Sequence, residues 1–432
     1  MSAVEILSRR LQFLSASERK TCEEIEVLQR NSLVALAQHC AVHSAHFRRR
    51  LNAAGLKADD FAAPGVLEKL PLLSRRELQG ATDIFCTAVP KVHMPLYETR
   101  TSGSTGEPVI VWRTAINQLD WLSTTMREHL WHDRDFLQPF CAIRANISNE
   151  VSLNNWGAPA ALLRKTGPLL GLPITMSIEG QAERIGKFAA HTLLVYPSDL
   201  AGLVQHCEAH NIVFPALKKI ITVGETLYPH VRADAETLFG ASVADMYSSQ
   251  EAGNIALQCP VSGLYHVMAE NLIVEVVDSQ GRSVREGETG RLAITDLHNF
   301  ATPLIRYDIG DYAEAGPQCA CGRGLPTLKR ILGRERNLIR MPDGSRHWTL
   351  TGFRKFREIA PIIQYQMIQS DRETIELRLV TARALTPDEE TRLIAHVQTA
   401  LGHAFTLKIA YFTDRIPAGP NGKFEEFISL AS

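Results

Sequence analysis

A run of hydroxyl-bearing and glycine residues shortly before the β-rich run VIVW (109–112) is the strongest chemical signal in this sequence. The run consists of Thr101, Ser102, Gly103, Ser104, Thr105 and Gly106. The backbone N–H groups and hydroxyls of such a loop can surround phosphate oxygens. It is not a Walker A loop, because no Gly-Lys-Ser/Thr follows at the required spacing. Taken alone, the segment is equally compatible with a flexible Ser/Gly turn.

Further polar motifs follow the loop, and their order makes them more specific than any one alone. They are Gly224–Leu227, Met246–Glu251, Leu304–Asp311, Gly333–Asn337 and Asn421–Lys423. Together with residues 97–108 they resemble the motifs of the adenylate-forming enzymes, which include acyl-CoA synthetases and peptide-synthetase adenylation domains. The length of 432 residues, the IRYDIGD sequence and a Cys-x-Cys-Gly-Arg segment resemble the phenylacetate–CoA ligase branch.

The resemblance implies a role for individual residues. Asp311 would accept hydrogen bonds from the ribose hydroxyls. Glu251 would hold Mg²⁺. Lys423 would lie between the substrate carboxylate and the α-phosphate, and Arg336 would lie at the hinge of a rotating C-terminal domain. The implied ATP-binding residues are Thr101, Ser102, Gly103, Ser104, Thr105, Gly106, Gly224, Glu225, Thr226, Tyr247, Ser248, Asp311, Arg334 and Lys423.

The chain departs from the family pattern at several positions. Glu107 stands where the phosphate loop often has lysine, Gln250 replaces the usual threonine, and Arg336 replaces the aspartate that is usual in this branch. Residues 341–348 replace a glycine-rich stretch that shapes the thiol channel in CoA-using relatives. The first half-reaction is therefore better supported than the second.

The cysteines divide into two groups. Cys259, His266, Cys319 and Cys321 form a Cys₃His set, a combination of soft ligands that suits a closed structural zinc site. The alternative is two reduced cysteines in a turn and a buried Cys259. We expect the remaining cysteines to be core residues, and they are Cys22, Cys40, Cys86, Cys141 and Cys207.

The acid pocket has weaker support. By position in the resembling branch, its candidate residues are Phe140, Trp156, Tyr196, Pro197, Gly224 and Tyr247. Phe140, Trp156 and Tyr247 could stack on an aromatic acid, although Phe140 and Trp156 are slightly better explained as core. The aromatic acid is therefore implied by the resemblance.

The resemblance implies a two-step, AMP-forming acid–thiol ligase. A carboxylic acid and ATP would give an acyl-adenylate and pyrophosphate, and coenzyme A would then displace AMP. Transfer to an amine or to a carrier-protein thiol is the alternative within the class. A non-catalytic nucleotide-binding protein is the alternative outside it, and the Lys423 loop argues against that alternative, because ATP binding alone would not require the lysine.

Composition limits the partners. Lys and Arg total 46 against 47 Asp and Glu, which argues against a broad nucleic-acid or anionic-membrane surface. We found neither a stretch of the ~20 apolar residues that a membrane span needs nor a secretory signal. We therefore expect a cytoplasmic protein whose partners are the small-molecule acid and coenzyme A, and whose assembly, a homodimer included, is left open.

The elements that must position these residues are those of an α/β protein. Short β-rich runs alternate with helical stretches from about residue 105, which favours a mixed, largely parallel sheet. The N-terminal fifty residues are predicted to be helical, and Ser74 with Glu77 forms a capping-box pattern. We expect a large body at 1–334 and a small, mobile α+β domain at 335–432. In the small domain, strands are predicted at 374–380 and 405–412, and Thr386 with Glu389 forms a capping-box pattern that predicts a helix between them.

Overall fold

The computed structural model describes residues 2–101, 108–348, 353–413, 415–417, 419 and 424–431. The α-helices in these ranges are α1 (Ala3–Ser17), α2 (Cys22–His43), α3 (Ala45–Ala53), α4 (Arg75–Gly80), α5 (Ala115–Trp131), α6 (Ala160–Leu163), α7 (Ile178–Phe188), α8 (Pro197–His210), α9 (Pro229–Phe239), α10 (Phe353–Ile359) and α11 (Pro387–Leu401). The strands are β1 (Tyr97–Thr101), β2 (Val109–Arg113), β3 (Phe140–Arg144), β4 (Val151–Leu153), β5 (Leu169–Pro173), β6 (Thr192–Val195), β7 (Lys219–Val223), β8 (Ser242–Ser249), β9 (Gly253–Gln258), β10 (Tyr265–Val267), β11 (Leu272–Val277), β12 (Thr289–Asp296), β13 (Tyr307–Ala315), β14 (Thr327–Arg334), β15 (Leu338–Arg340), β16 (Arg346–Trp348), β17 (Ile362–Gln369), β18 (Thr374–Thr381), β19 (Thr406–Phe412) and β20 (Phe427–Ser429). None of the helices in these ranges has the length and apolar character that a membrane span requires.

Hydroxyl side chains set the starts of the N-terminal helices. Ser2, Thr21 and Ser44 cap α1, α2 and α3, so the predicted helical N-terminus is three helices in succession. The predicted capping box at α4 is confirmed. The Ser74 hydroxyl accepts a hydrogen bond from the Glu77 amide at 3.2 Å, and the Ser74 amide donates to the Glu77 carboxylate at 2.9 Å.

A 12-stranded mixed sheet forms the centre of the body. Its order is β11-β12-β13-β14-β10-β9-β8-β7-β6-β3-β5-β4. The stretch β8-β7-β6-β3-β5 is parallel, and α7, α8 and α9 provide crossover connections within it. The strands from β9 to β11 are antiparallel. The predicted α/β class with a mixed sheet is confirmed.

The run VIVW forms a strand, β2, but this strand does not join the large sheet. It pairs antiparallel with β1 in a two-stranded hairpin, with Thr101 opposite Val109. The β1–β2 connection spans residues 102–108, which is too short for the crossover of about a dozen residues that a parallel pair needs. In the sequence, the predicted phosphate loop is the segment that connects these two strands.

Arg306 ties the N-terminal region to the sheet. The residue is 1% exposed and has a positive φ of 53°. Its guanidinium donates to the backbone carbonyls of Glu68 at 2.9 Å, Leu70 at 2.8 Å and Gly281 at 2.6 Å. Its Nε also donates to the Glu275 carboxylate at 3.1 Å. One side chain thus joins a loop of the first seventy residues to two parts of the antiparallel sheet.

Residues near the C-terminus build a second, smaller sheet of order β19-β18-β17-β20. The predicted strands at 374–380 and 405–412 are β18 and β19, which lie parallel and are connected by α11. The predicted capping box between Thr386 and Glu389 begins that helix. Leu393, Val397 and Leu401 of α11 are buried against this sheet, in a hydrophobic cluster of its own.

Candidate active site

The carboxylate of Asp311 lies at the centre of the candidate site. Strands β13 and β14 pair so that Asp311 faces Arg334, whose Nε lies 3.2 Å from Asp311 Oδ1. The hydroxyl of Tyr247 donates a hydrogen bond to Asp311 Oδ2 at 2.7 Å. The pairing of β8 with β9 shifts register directly after Tyr247, between this residue and Ser248. Burial, together with the charge of Asp311, raises the pKa of Tyr247 well above its usual value, so the hydroxyl remains a donor. Three predicted nucleotide-binding residues thus meet from three separate segments.

Glu251 lies in the turn between β8 and β9, and its side chain is 5% exposed. It forms an ion pair with Arg75 of α4, whose Nη1 is 3.6 Å from Glu251 Oε1. Arg75 also donates from Nη2 to the Thr101 hydroxyl at 3.0 Å. The sequence reasoning missed Arg75, because the capping box beside it predicts a helix start and carries no signal for contact with residue 251.

Glycine allows close packing at the predicted ATP-binding residues Gly224–Thr226. Gly224 directly follows β7 with φ of +82°, and a Cβ there would lie 2.9 Å from the ring of Tyr196. At Gly333, a Cβ would lie 3.1 Å from the hydroxyl of Thr226. The segments at 224–226 and 333–337, far apart in the sequence, are therefore in direct contact.

The carboxylate of Glu225 accepts hydrogen bonds from two backbone amides, one in the large body and one near the C-terminus. Its Oε2 accepts from the Ser198 amide at 2.9 Å, at the start of α8, and its Oε1 accepts from the Phe424 amide at 3.1 Å. Burial raises the pKa of Glu225. This predicted ATP-binding residue therefore connects the body to the segment that follows Lys423 in the chain.

The predicted hinge is tied to the C-terminal segment. Arg336 forms a two-pronged ion pair with Glu425, with its Nε 3.0 Å from Oε2. The side-chain amide of Asn337 donates to the same carboxylate and to the Phe427 carbonyl, both at 2.7 Å. Arg336 thus contacts Glu425, a residue just before strand β20 of the smaller sheet.

Two central predictions lie outside the described residues. They are the phosphate-loop residues Ser102, Gly103, Ser104, Thr105 and Gly106, and the catalytic Lys423. Thr101, which precedes the loop, is described: its hydroxyl accepts from the Val109 amide at 3.2 Å and from Arg75. The Thr101 hydroxyl is therefore engaged in holding the β1–β2 hairpin.

The proposed pocket residues occupy two environments. Phe140 and Trp156 are each 7% exposed and pack with their ring centroids 4.8 Å apart in the core of the body, and Tyr247 belongs to the same core cluster. Tyr196 lies against Gly224, and Pro197 is the first residue of α8. A cavity of about 750 Å³ lies between α8, α9 and the C-terminal unit, with Pro197 in its lining. The assignment of all these residues to an acid pocket stays a prediction.

The four predicted zinc ligands are brought together. The ligand atoms of Cys259, His266, Cys319 and Cys321 all lie within 4.8 Å of one another. Cys319 Sγ is 3.8 Å from Cys259 Sγ, and Cys321 Sγ is 3.3 Å from His266 Nε2. Zn–S bonds of ~2.3 Å in a tetrahedron give edges of about 3.8 Å. The donor set and its geometry fit a closed site, and His266 Nδ1 faces the Leu325 carbonyl at 3.3 Å.

The five cysteines that we predicted to be core residues are buried or half-buried. Cys40, Cys141 and Cys207 are fully buried, while Cys22 and Cys86 are half-buried. Cys22 donates to the Gly324 carbonyl at 3.4 Å, so it lies at the contact between α2 and the loop of the cysteine pair.

No protein-family model matches the chain. The phenylacetate–coenzyme A ligase of Escherichia coli K12 is 23% identical over 333 residues, which cover 76% of this chain and 75% of that protein. The phenylacetate–coenzyme A ligase of Aromatoleum evansii is 24% identical over 349 residues, covering 76% and 74%. Protein CapK of Staphylococcus aureus is 24% identical over 254 residues, covering 56% and 53%.

Solved structures share the fold. The 2-hydroxyisobutyryl-CoA ligase in a postadenylation state with its acyl-AMP superposes with a TM-score of 0.74 at 19% identity, covering 93% of this chain and 88% of that one. The anthranilate CoA ligase with anthranoyl-AMP gives 0.57 at 14% identity, covering 76% and 64%.

The fold is that of solved CoA ligases bound to acyl-adenylates, and the converging motifs resemble those of the adenylate-forming enzymes. The chain is similar to the phenylacetate–CoA ligases, and the resemblance predicted from its motifs is confirmed.

Proposed function

We propose that this chain is an AMP-forming acid–thiol ligase. It activates a carboxylic acid with ATP to an acyl-adenylate, releases pyrophosphate, and transfers the acyl group to the thiol of coenzyme A. The observation that carries the proposal is the convergence of Tyr247, Asp311 and Arg334 beside the buried Glu251. This arrangement stands on a fold that the chain shares with CoA ligases.

In this proposal Asp311 binds the ribose of the nucleotide. Its carboxylate is already oriented by Tyr247 and Arg334, so the ribose hydroxyls would donate to a fixed acceptor. The Gly224–Thr226 loop would border the adenine, and Lys423 would stabilise charge that develops as the acid attacks the α-phosphorus. Residues 1–334 would form the nucleotide-binding body and residues 335–432 the moving lid.

Two metals belong to the proposal. Glu251 would hold Mg²⁺, because it is a buried carboxylate that pairs with Arg75, which in turn contacts Thr101, and carboxylate oxygen suits that ion. Mg²⁺ would neutralise polyphosphate charge. The Cys₃His cluster would hold one structural zinc ion, since four protein ligands leave no position for substrate. Zinc there would join the β9–β10 hairpin to the loop after β13.

Coenzyme A is the proposed acceptor. The cavity between α8, α9 and the C-terminal unit has a mostly apolar surface, although polar and charged residues also line it, and it reaches Glu225 and Thr226 of the candidate site. A thin, mostly apolar arm ending in a thiol fits a passage of this kind. Against it, residues 338–348 form the β15–β16 hairpin where CoA-using relatives have a glycine-rich stretch, and this favours an amine or carrier-protein thiol as the second candidate acceptor.

The acid is proposed to be aromatic, because the chain is similar to a phenylacetate–coenzyme A ligase and shares its fold with an anthranilate CoA ligase. A pyrophosphate-release screen with ATP and Mg²⁺ tests this. The panel holds arylacetates, benzoates, aliphatic acids and 2-hydroxy acids, each with and without coenzyme A. Pyrophosphate release with an aryl acid, together with thioester formation when coenzyme A is added, is the expected result. ATP binding without release for every acid would favour a nucleotide-binding protein.

Asp311→Asn provides the matched test of the site. We expect the affinity for ATP and for AMP to fall together, by about tenfold or more, because both nucleotides carry the ribose and the substitution removes a charged acceptor. Glu314→Gln lies on the same strand and pairs with Lys329 and Arg330, so it should leave both affinities unchanged. Equal effects of the two variants would contradict the assignment of Asp311.

A further inference from the structure

Arg75 is held in place by the strand that carries Asp311. The residue before its cap, Leu73, forms a parallel bridge to Tyr307. The Leu73 amide donates to the Arg306 carbonyl at 2.7 Å, and the Asp308 amide donates to the Leu73 carbonyl at 2.9 Å. The backbone just before Arg75 thus pairs with the Leu304–Asp311 motif. The strand that carries the proposed ribose-binding residue, Asp311, therefore also positions Arg75.

The side chain of Arg75 contacts two predicted site residues, Thr101 and Glu251. Its Nη2 donates to Thr101, the last described residue before the phosphate loop, and its Nη1 lies 3.6 Å from Glu251, the predicted Mg²⁺ ligand. It is 23% exposed, so it faces an opening instead of being sealed in the core. A guanidinium has five N–H donors in a planar fork that matches phosphate oxygens.

The contact with Glu251 is an ion pair without a hydrogen bond, because 3.6 Å exceeds the usual N–H···O range. Breaking such a contact costs little free energy when a divalent cation binds the carboxylate instead. Close by, the buried hydroxyl of Tyr307 lies next to the Arg75 guanidinium. Burial, with the charge of Glu251 next, raises the pKa of Tyr307, so this hydroxyl is a second neutral donor on the same side.

We propose that Arg75 is a phosphate-binding residue that holds the β- and γ-phosphates of ATP and the pyrophosphate formed from them. The inference rests on the proposed function. In adenylation, a carboxylate oxygen of the acid forms a bond to the α-phosphorus. The bond from that phosphorus to the α,β-bridging oxygen breaks, and its electron pair leaves with pyrophosphate. The Arg75 guanidinium stabilises the negative charge that gathers on this leaving group.

The test compares ATP with AMP, because only ATP carries the groups that Arg75 would bind. For Arg75→Ala we expect the ATP affinity, measured by calorimetry with and without Mg²⁺, to fall by about tenfold or more, with AMP affinity unchanged. Acid-dependent pyrophosphate release should fall about 100-fold. Arg75→Lys should recover part of the loss, because it restores the charge without the fork. Arg76→Ala, an exposed neighbour in α4, should match the wild type.

Two results would overturn the assignment. One is an equal loss of ATP and AMP affinity in Arg75→Ala, which would mean that Arg75 only supports the fold of the site. The other is unchanged ATP affinity in that variant. If the wild type releases no pyrophosphate with any acid, the proposed enzyme function fails, but the comparison of ATP with AMP still decides whether Arg75 binds phosphate.

Discussion

Replacing Arg306 with alanine tests how strongly one buried side chain holds the body together. The guanidinium is 1% exposed, donates to three backbone carbonyls and pairs with Glu275, whose carboxylate lies 2.9 Å from Nη2. Alanine would leave the Glu275 charge buried and uncompensated. Breaking a buried pair from one side costs about 3–5 kcal/mol. This cost is a large fraction of the free energy of unfolding of a typical protein, which is about 5–15 kcal/mol.

The measurement is urea unfolding followed by tryptophan fluorescence, which reports on the body through Trp131 and Trp156. Arg291→Ala is the control, because Arg291 pairs with Asp308 at 3.0 Å while about one third of its side chain is exposed, and such pairs contribute about 0–1 kcal/mol. Adding Glu275→Gln to Arg306→Ala should restore part of the loss, since it removes the stranded charge. A loss below about 1 kcal/mol for Arg306→Ala would refute the reasoning, as would simple additivity in the double variant.

Two further predictions concern the cysteine cluster and the C-terminal unit. Purified protein should carry about one zinc ion per chain by elemental analysis; Cys319→Ser should lose it while Cys207→Ser keeps it, and zinc retained in Cys319→Ser would exclude the cluster as the site. Hydrogen bonds from Arg383, then from the Thr386 backbone, lower the pKa of Glu389 to about 2. Because this folded-state value lies below the unfolded one, its stabilisation is present above about pH 4.5 and is lost as the pH falls towards 2. The calorimetric unfolding midpoint should therefore drop less between pH 6.5 and 3.5 in Glu389→Gln than in wild type or Glu390→Gln, and equal drops would contradict the assignment.

Elements with strong local signals could be predicted from the sequence. The run at 219–223 is β7, and the capping boxes at Ser74 and Thr386 begin α4 and α11. These signals are local, since side-chain caps and apolar runs act within a few residues. The partner of β2 was not predictable in this way, because a half-buried strand has the same pattern in a hairpin and in a large sheet.

In the candidate site, too, residues within sequence motifs could be predicted, whereas contacts between distant segments could not. Asp311, Tyr247 and Arg334 belong to motifs with recognisable order, and the structure brings them together. The Cys₃His set was recognisable from the chemistry of its ligands. Arg75 and the backbone bonds of Glu225 were not, because their contacts join segments 176 and 199 residues apart and depend on the tertiary fold alone. Residue type at such positions says nothing about the partner.

The attachment of the first seventy residues through Arg306 has a consequence for biosynthesis. Arg306 and the Glu68 carbonyl that it binds are 238 positions apart. At about 5–20 residues per second, the ribosome takes roughly 10–50 s to make the chain between them. During that interval the apolar faces of the N-terminal helices lack the strands that cover them. The nascent chain therefore has a long window of exposure to chaperones, and the candidate site around Asp311 can form only after most of the polypeptide has emerged.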